Sequence, residues 1–347
     1  MIFDPSSSTN VVSELVVWSY PEYETHVFTP TKGTMTAKAL TEGWGDYVLD
    51  VAVPRESGGK DWLPTSPESL LATGNTATVR QTISQAGKLI VFESPHYRLD
   101  SWEEDGPEIR LSGHGFLSCL RDHVLAKPMQ VARSSTCLMA LRATLELDNL
   151  AVQAPDGVGS DPVPDGWVIG QKRDQAVADL CSAGRMVIRE KLGGIVALPA
   201  PTIKTSPDVV LRDGTGGTVV SAPSGFERAK RPNHVVVSGS SDGVEFAAEA
   251  YETDGPFKPA RYGWVSVEVS GDAVSSEAQA LLVARAELRR RGAYSELVRV
   301  QCVTDWRISL DQTVAIHVDG RTRVGIVTGV EMPIDGLGLM SVEVACG

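Results

Sequence analysis

Aromatic side chains are scarce in this 347-residue sequence, at 6%, so its cores must be filled largely by aliphatic residues. Cysteine is scarce too. Cys119, Cys137, Cys181, Cys302 and Cys346 are odd in number and far apart, with no CxxC pair, which indicates neither a disulfide framework nor a zinc knuckle and predicts folding in a reducing cytoplasm. No apolar run is long enough to span a bilayer, and Met1-Ile2-Phe3-Asp4-Pro5 has no basic stretch leading into an apolar one. Neither a membrane span nor Sec export is expected. Basic charge is also short: 32 Lys and Arg face 44 Asp and Glu, a net charge of -12. Nucleic-acid affinity comes chiefly from cations neutralising phosphates, so general DNA or RNA binding is not expected. An acidic wall would, however, suit a conduit through which DNA passes without sticking. Phosphate loops are missing as well: Gly58-Gly59-Lys60 continues with Asp61, and Gly214-Thr215-Gly216-Gly217 has no following lysine.

What is present is 42% apolar residue, 33 Gly and 20 Pro, with Val and Thr recurring: many short strands joined by turns, and enough apolar mass for two or three compact units. Up to about Leu125 strand follows strand, at 47–53, 76–80, 88–92 and 108–111, which predicts one antiparallel barrel or sandwich with an exposed loop from Pro54 to Glu68. A short helix is predicted over Phe116–Asp122. A longer one follows Ser134-Ser135, with Leu138, Leu141 and Leu145 at helical spacing. Another follows Asp174, with Gly184 placed to end it in the left-handed conformation. A hairpin over 186–188 and 195–198 turns at Gly193-Gly194. Gly/Pro-rich loops at Ala154–Pro164 and Pro201–Ser224 bracket this middle unit. Strands return at 234–237 and 244–246. A helix then starts at the capping-box pair Ser276 and Gln279, with Leu281, Ala284 and Leu288 on one face, and stops at Gly292. Alternation at 298–302 and 314–318, the Asp319-Gly320 turn and the strand at 342–344 predict a second barrel-like unit.

Candidate chemistry is thin. Gly239-Ser240-Ser241-Asp242-Gly243 spells the nucleophile elbow, but the strand-like Val244-Glu245-Phe246 follows where a helix should begin, so a hairpin turn is expected. His114, Cys119 and His123 are of metal-ligating types without an evident fourth ligand. They are read as a buried cysteine with two surface or hydrogen-bonded histidines. Glu103, Glu104 and Asp105 could offer the carboxylate pair of a glycosidase, yet adjacent acids near Gly106 are read as a solvated turn. Arg289-Arg290-Arg291 complements the negative end of a helix dipole. No catalytic, cofactor-binding or metal residue is therefore assigned.

The order of pieces resembles the tail-hub proteins of long-tailed bacteriophages and related contractile injection machines. Four stretches carry the resemblance: Ile109-Arg110-Leu111-Ser112-Gly113-His114-Gly115-Phe116-Leu117-Ser118-Cys119-Leu120-Arg121; the helix Thr136–Leu147; the helix, glycine and hairpin of Ala176–Pro199; and the stretch from Asn233-His234-Val235-Val236-Val237 through the helix Ser276–Arg291 to Leu310-Asp311-Gln312-Thr313-Val314-Ala315-Ile316. Family members usually have Gly-Asp where Asp311-Gln312 stands. The resemblance implies a mainly β fold with inserted helices, in which two tail-tube-like antiparallel β-barrel units (1–125 and 231–347) flank a small α/β connector (126–230). It implies a homotrimeric, non-enzymatic ring at the virion's tail tip, assembled in the host cytoplasm. Such a ring adapts the sixfold tube to threefold tip proteins. Its partners would be the distal tail protein, the C-terminus of the tape-measure protein, and spike, fibre or tip proteins, with DNA passing through its channel. The alternative is a carbohydrate-binding or cell-wall-degrading protein, kept open by Trp18, Trp44, Trp62, Trp102, Trp167, Trp264 and Trp306, although dispersed Trp is more often core or interface.

Overall fold

The computed structural model describes residues 9–19, 24–40, 43–85, 88–226, 231–241, 243–292, 296–334 and 338–347. The chain is mainly β with inserted helices. Its first part holds β1 (Thr9–Trp18), β2 (Thr25–Phe28), β3 (Lys32–Ala39), β4 (Gly45–Pro54), the small pair β5 (Glu56–Ser57) and β6 (Lys60–Asp61), β7 (Thr76–Gln85), β8 (Lys88–Glu93), β9 (Tyr97–Asp105) and β10 (Glu108–Gly115). Alternation explains these strands: Tyr47, Leu49, Val51 and Val53 of β4 and Ile109 and Leu111 of β10 all enter one core. The segment expected to be an exposed loop is only partly so. Trp62 folds inward onto His26 and Phe28, with ring centroids 4.2 and 5.1 Å away.

A single 3-10 turn and α1 (Cys119–Asp122) lead to β11 (Met129–Gln130), α2 (Cys137–Glu146), β12 (Val152–Gln153), β13 (Val168–Ile169), α3 (Arg173–Ala183), β14 (Met186–Lys191) and β15 (Gly194–Pro199). The side chain of Thr136, rather than either preceding serine, caps α2 by accepting from the Met139 N–H. Gly184 is not left-handed: its φ is -83°, and Arg185 takes the positive φ of 51°. Glycine is needed at 184 for space, because a Cβ there would lie 2.9 Å from the Cβ of Cys137 on α2.

The rest comprises β16 (Val209–Arg212), β17 (Val219–Ser221), β18 (Ser224–Gly225), β19 (His234–Ser241), β20 (Val244–Tyr251), α4 (Pro259–Tyr262), β21 (Ser266–Ser270), α5 (Glu277–Gly292), β22 (Glu296–Val303), β23 (Thr313–Val318), β24 (Arg321–Pro333) and β25 (Leu339–Cys346). The capping box of α5 is shifted. The Gln279 N–H reaches the Ser276 hydroxyl, but the Gln279 side chain accepts from Ser275. The buried face of α5 is Ala280, Val283, Ala284 and Glu287, because small side chains let the helix lie close across β19 and β20. Of the expected face, Ala284 is buried and Leu288 packs partly buried against the same core, while Leu281 is only half-buried.

Most of the strands expected in two separate barrels lie in one 15-stranded sheet, ordered β17-β22-β25-β24-β3-β4-β10-β9-β7-β1-β2 with β8, β16, β18 and β23 attached at its sides. By contrast β19, β20 and β21, within the unit expected as the second barrel, form a separate three-stranded sheet ordered β20-β19-β21. Among the described residues no pairing joins the ends of the large sheet, so it does not close on itself. The 13-residue β24 makes the junction: its first half pairs with β23, its last residues, from Gly329, pair with β3, and β25 lies along its other side. A register shift between Val327 and Gly329 marks the change of partner, where a bulge bends one strand across two sheet halves.

Packing divides the chain differently from the expected cuts after residues 125 and 230. The segment 209–225 pairs with β22 and β23 of the last part. Conversely, Val235, Val237, Val269, Val283 and Ala284 share a core with α2, α3 and β14. Strand pairing and burial, which join residues far apart in sequence, set these groupings.

Candidate functional site

The residues with possible chemistry are dispersed. Ser240 and Ser241 end β19, which turns directly into β20 by pairing Ser241 with Val244; Asp242 lies outside the described residues, and Gly243 has φ 76°. This is a hairpin, with no helix to position a nucleophile. Glu103, Glu104 and Asp105 are at the end of β9 itself rather than in a turn, and Asp105 pairs with Arg110 at 2.6 Å while Glu104 pairs with Arg55. Gly58 and Gly59 form the turn between β5 and β6, and Lys60 lies 4.0 Å over the Trp62 ring. Arg290 and Arg291 hold the buried Glu287 at 2.6 and 2.8 Å.

His114 pairs with Asp100 at 2.5 Å, apart from the other two residues of the metal-type trio. His123 meets Asp148 at 2.6 Å, and the fully buried Arg173 bonds that same carboxylate and the Thr144 carbonyl. Burial, with a hydrogen bond to Asp148 behind it, pushes the Cys119 thiol up to about 12. A protonated thiol and a guanidinium thus occupy the space around Asp148. Among the described residues no group of three or more His, Cys, Asp and Glu is placed to hold a metal.

Assembly surfaces are better developed. β8 pairs with β7 only, leaving its other edge open among the described residues, and carries Leu89 and Val91 at 72% and 61% exposure. Across the sheet, Val210 on β16 and Val220 on β17 are exposed on edge strands as well. An unpaired edge presents backbone donors and acceptors, and apolar side chains on it favour pairing with another chain. Tryptophan forms no common platform: Trp44, Trp62 and Trp167 are buried, Trp18 and Trp306 half-buried, and the exposed Trp102 and Trp264 lie beside different sheets. Among the described residues no helix is long and apolar enough to cross a membrane.

A joint that sequence reasoning missed lies where the connector meets the sheet. Arg189 on β14 is buried, bonding both carboxylate oxygens of Asp311 at 2.7 and 2.9 Å and the Gly43 carbonyl at 3.1 Å. Asp311, which stands where the hub family usually has glycine, has φ 71° and so lies in the left-handed region. Asp is among the few side chains that tolerate this conformation, and it adds the partner for Arg189. The neighbouring Glu190 accepts the backbone N–H groups of Phe116 and Leu117 at 3.0 and 2.8 Å. Gly115 leaves room for this arrangement, since a Cβ there would lie 2.4 Å from the Glu190 carboxylate and could be accommodated only by displacing it. The one signal in the sequence is the charged run Arg189-Glu190-Lys191 that completes a strand begun by the apolar Met186-Val187-Ile188.

No protein-family model and no curated protein matches the sequence. Solved structures do match its fold. The tail protein from Neisseria meningitidis MC58 is 10% identical with a TM-score of 0.63, covering 96% of each chain. The 43 kDa tail protein of prophage MuSo2 from Shewanella oneidensis is 15% identical with a TM-score of 0.61, over 95% of this chain and 98% of that one. Prophage tail protein gp18 from Listeria monocytogenes EGD-e is 11% identical with a TM-score of 0.57, over 95% and 94%. The chain has the fold of these phage tail proteins.

Proposed function

We propose that this chain is a non-enzymatic structural hub at the tip of a long phage tail. Three copies form a ring, and the two halves of each large sheet act as tail-tube-like modules, giving six around a central channel. The ring adapts the sixfold tube to threefold tip or fibre proteins, joins the distal tail protein, surrounds the end of the tape-measure protein, and lets DNA pass. The observation that carries this reading is the fold likeness to tail proteins over 95–96% of this chain, which leaves little of it for a separate catalytic domain. The open edges at β8 and at β16 and β17 support it, because a ring needs backbone edges that a neighbour can complete.

Negative-stain electron microscopy at high protein concentration, alone and with purified tail tubes, tests the proposal. Threefold rings with a central opening are expected. Compact monomers under both conditions overturn it, and saturable binding to cell-wall fragments by such monomers would favour a carbohydrate-binding protein instead.

A further inference from the structure

Two consecutive residues of β14 fasten the connector to both halves of the large sheet. Arg189 grips Asp311, in the turn that opens β23, and Glu190 grips the backbone just after β10. The Tyr47 hydroxyl adds a bond to the backbone of Glu190. Beside this joint lies a half-open cavity of about 270 Å³, walled by Met35, Phe92, Trp306 and Met332 and reaching Arg189, Glu190 and Asp311. A small separation at this point would therefore admit water to all three charged groups at once.

We propose that the joint is a latch between connector and sheet, and that the charge on Glu190 sets how tightly it closes. Glu190 is buried and is held by two backbone N–H groups, while the neighbouring guanidinium of Arg189 is committed to Asp311. Among the described residues, the titratable or charged groups around it include Asp46 and Tyr47 from β4, Glu93 from β8, Tyr97 from β9, Lys191 from its own strand, and Asp311. Burial raises the Glu190 carboxyl to about 7, with Asp46 adding to the rise and the two N–H bonds opposing it. The closed joint thus binds a proton more tightly than an opened, hydrated one. Acid closes the latch. As pH rises from the ordinary carboxyl range toward 7, each unit favours opening by up to about tenfold.

Amide hydrogen exchange on the full chain between pH 5 and 8.5, corrected for intrinsic rates, reads the latch directly. Protection of segments 116–122 and 186–199 should fall together by tenfold or more, while β22 and β25 stay protected. Glu190→Gln should hold both segments at their acid-side protection throughout. Asp311→Asn should open them at every pH without removing the slope. Unchanged protection of the two segments in the unmodified protein overturns the proposal, even if no variant folds; so does an unaltered slope in Glu190→Gln, or equal loss across the whole chain.

Discussion

The core beneath the large sheet and the core of the connector are built on different principles. In the sheet, Leu15, Leu49, Leu111, Val300, Val342 and Val344 pack with little buried charge near them. In and around the connector, buried charge recurs: Arg173, Asp179, Arg189, Glu190, Arg231 and Glu287, with Asp305 the exception on the sheet side. Strands need no such pins, because the ladder fixes their spacing and a one-residue slip would turn every apolar side chain to solvent. Helices that meet over Ala140, Ala176, Ala280 and Ala284 can slide and rotate at little cost. Directional buried pairs remove that freedom, a role attested for buried polar groups in other folds.

The largest effect separating the two cores is expected at Asp148. Burial pushes its carboxyl up, but hydrogen bonds from Arg173, His123 and Cys119 outweigh this and hold it below the usual range. Asp148→Ala leaves Arg173 buried without its counter-charge and should cost about 3–5 kcal/mol in denaturant unfolding. The stabilisation from Asp148 is present above the ordinary carboxyl range and lost as pH falls through its depressed value. Leu49→Ala, in the sheet, should cost about 2–4 kcal/mol by leaving a cavity, with no such pH dependence. If the cores are independent, the double variant should sum the two losses to within about 0.5 kcal/mol; a larger coupling would mean that the junction transmits strain between them.

Asp179 sharpens the comparison from the opposite direction. Burial raises its carboxyl to about 6 against a hydrogen bond from Gln175, and Asp272 adds to the rise. Its sign is the reverse of Asp148: the folded state binds the proton more tightly, so stability falls as pH rises from the ordinary carboxyl range toward 6. Asp179→Asn should therefore stabilise the protein at pH 8, by up to about 3 kcal/mol, and change little at pH 4. Equal effects at both pH values would show that Asp179 acts through packing rather than through charge.

The two cores were also unequally legible in the sequence. Strands 47–53 and 298–302 announce themselves because alternation is a property of neighbouring residues, and Asp319-Gly320 announces its turn because both residues suit the positive φ of 52° and 71° that they adopt. The β24–β3 junction is not written locally, since it pairs Val330 with Ala37. Nor is the joint, where Arg189 meets a residue 122 positions away. The face of α5 is legible only in part for a related reason: Ala284 and Leu288 do pack on the core, but the close helix–sheet approach also selects Ala280 and Val283, which the spacing of leucines does not single out. The assembly surfaces were legible only in part. The stretch 88–92 reads as a strand, and only the pairing pattern reveals that one of its edges is open among the described residues.

The smallest expected effect lies at the acidic end of β9. Asp105 and Arg110 are both about half exposed, at 47% and 54% for their side chains, where water and salt screen the pair and ordering two long side chains offsets its attraction. Asp105→Ala should shift stability by less than about 0.5 kcal/mol, and less still at high salt. A loss of stability above about 1 kcal/mol would mean that this end of the sheet is pinned by charge as the connector is, and that the division between an apolar sheet and a charge-pinned connector fails at the sheet's own margin.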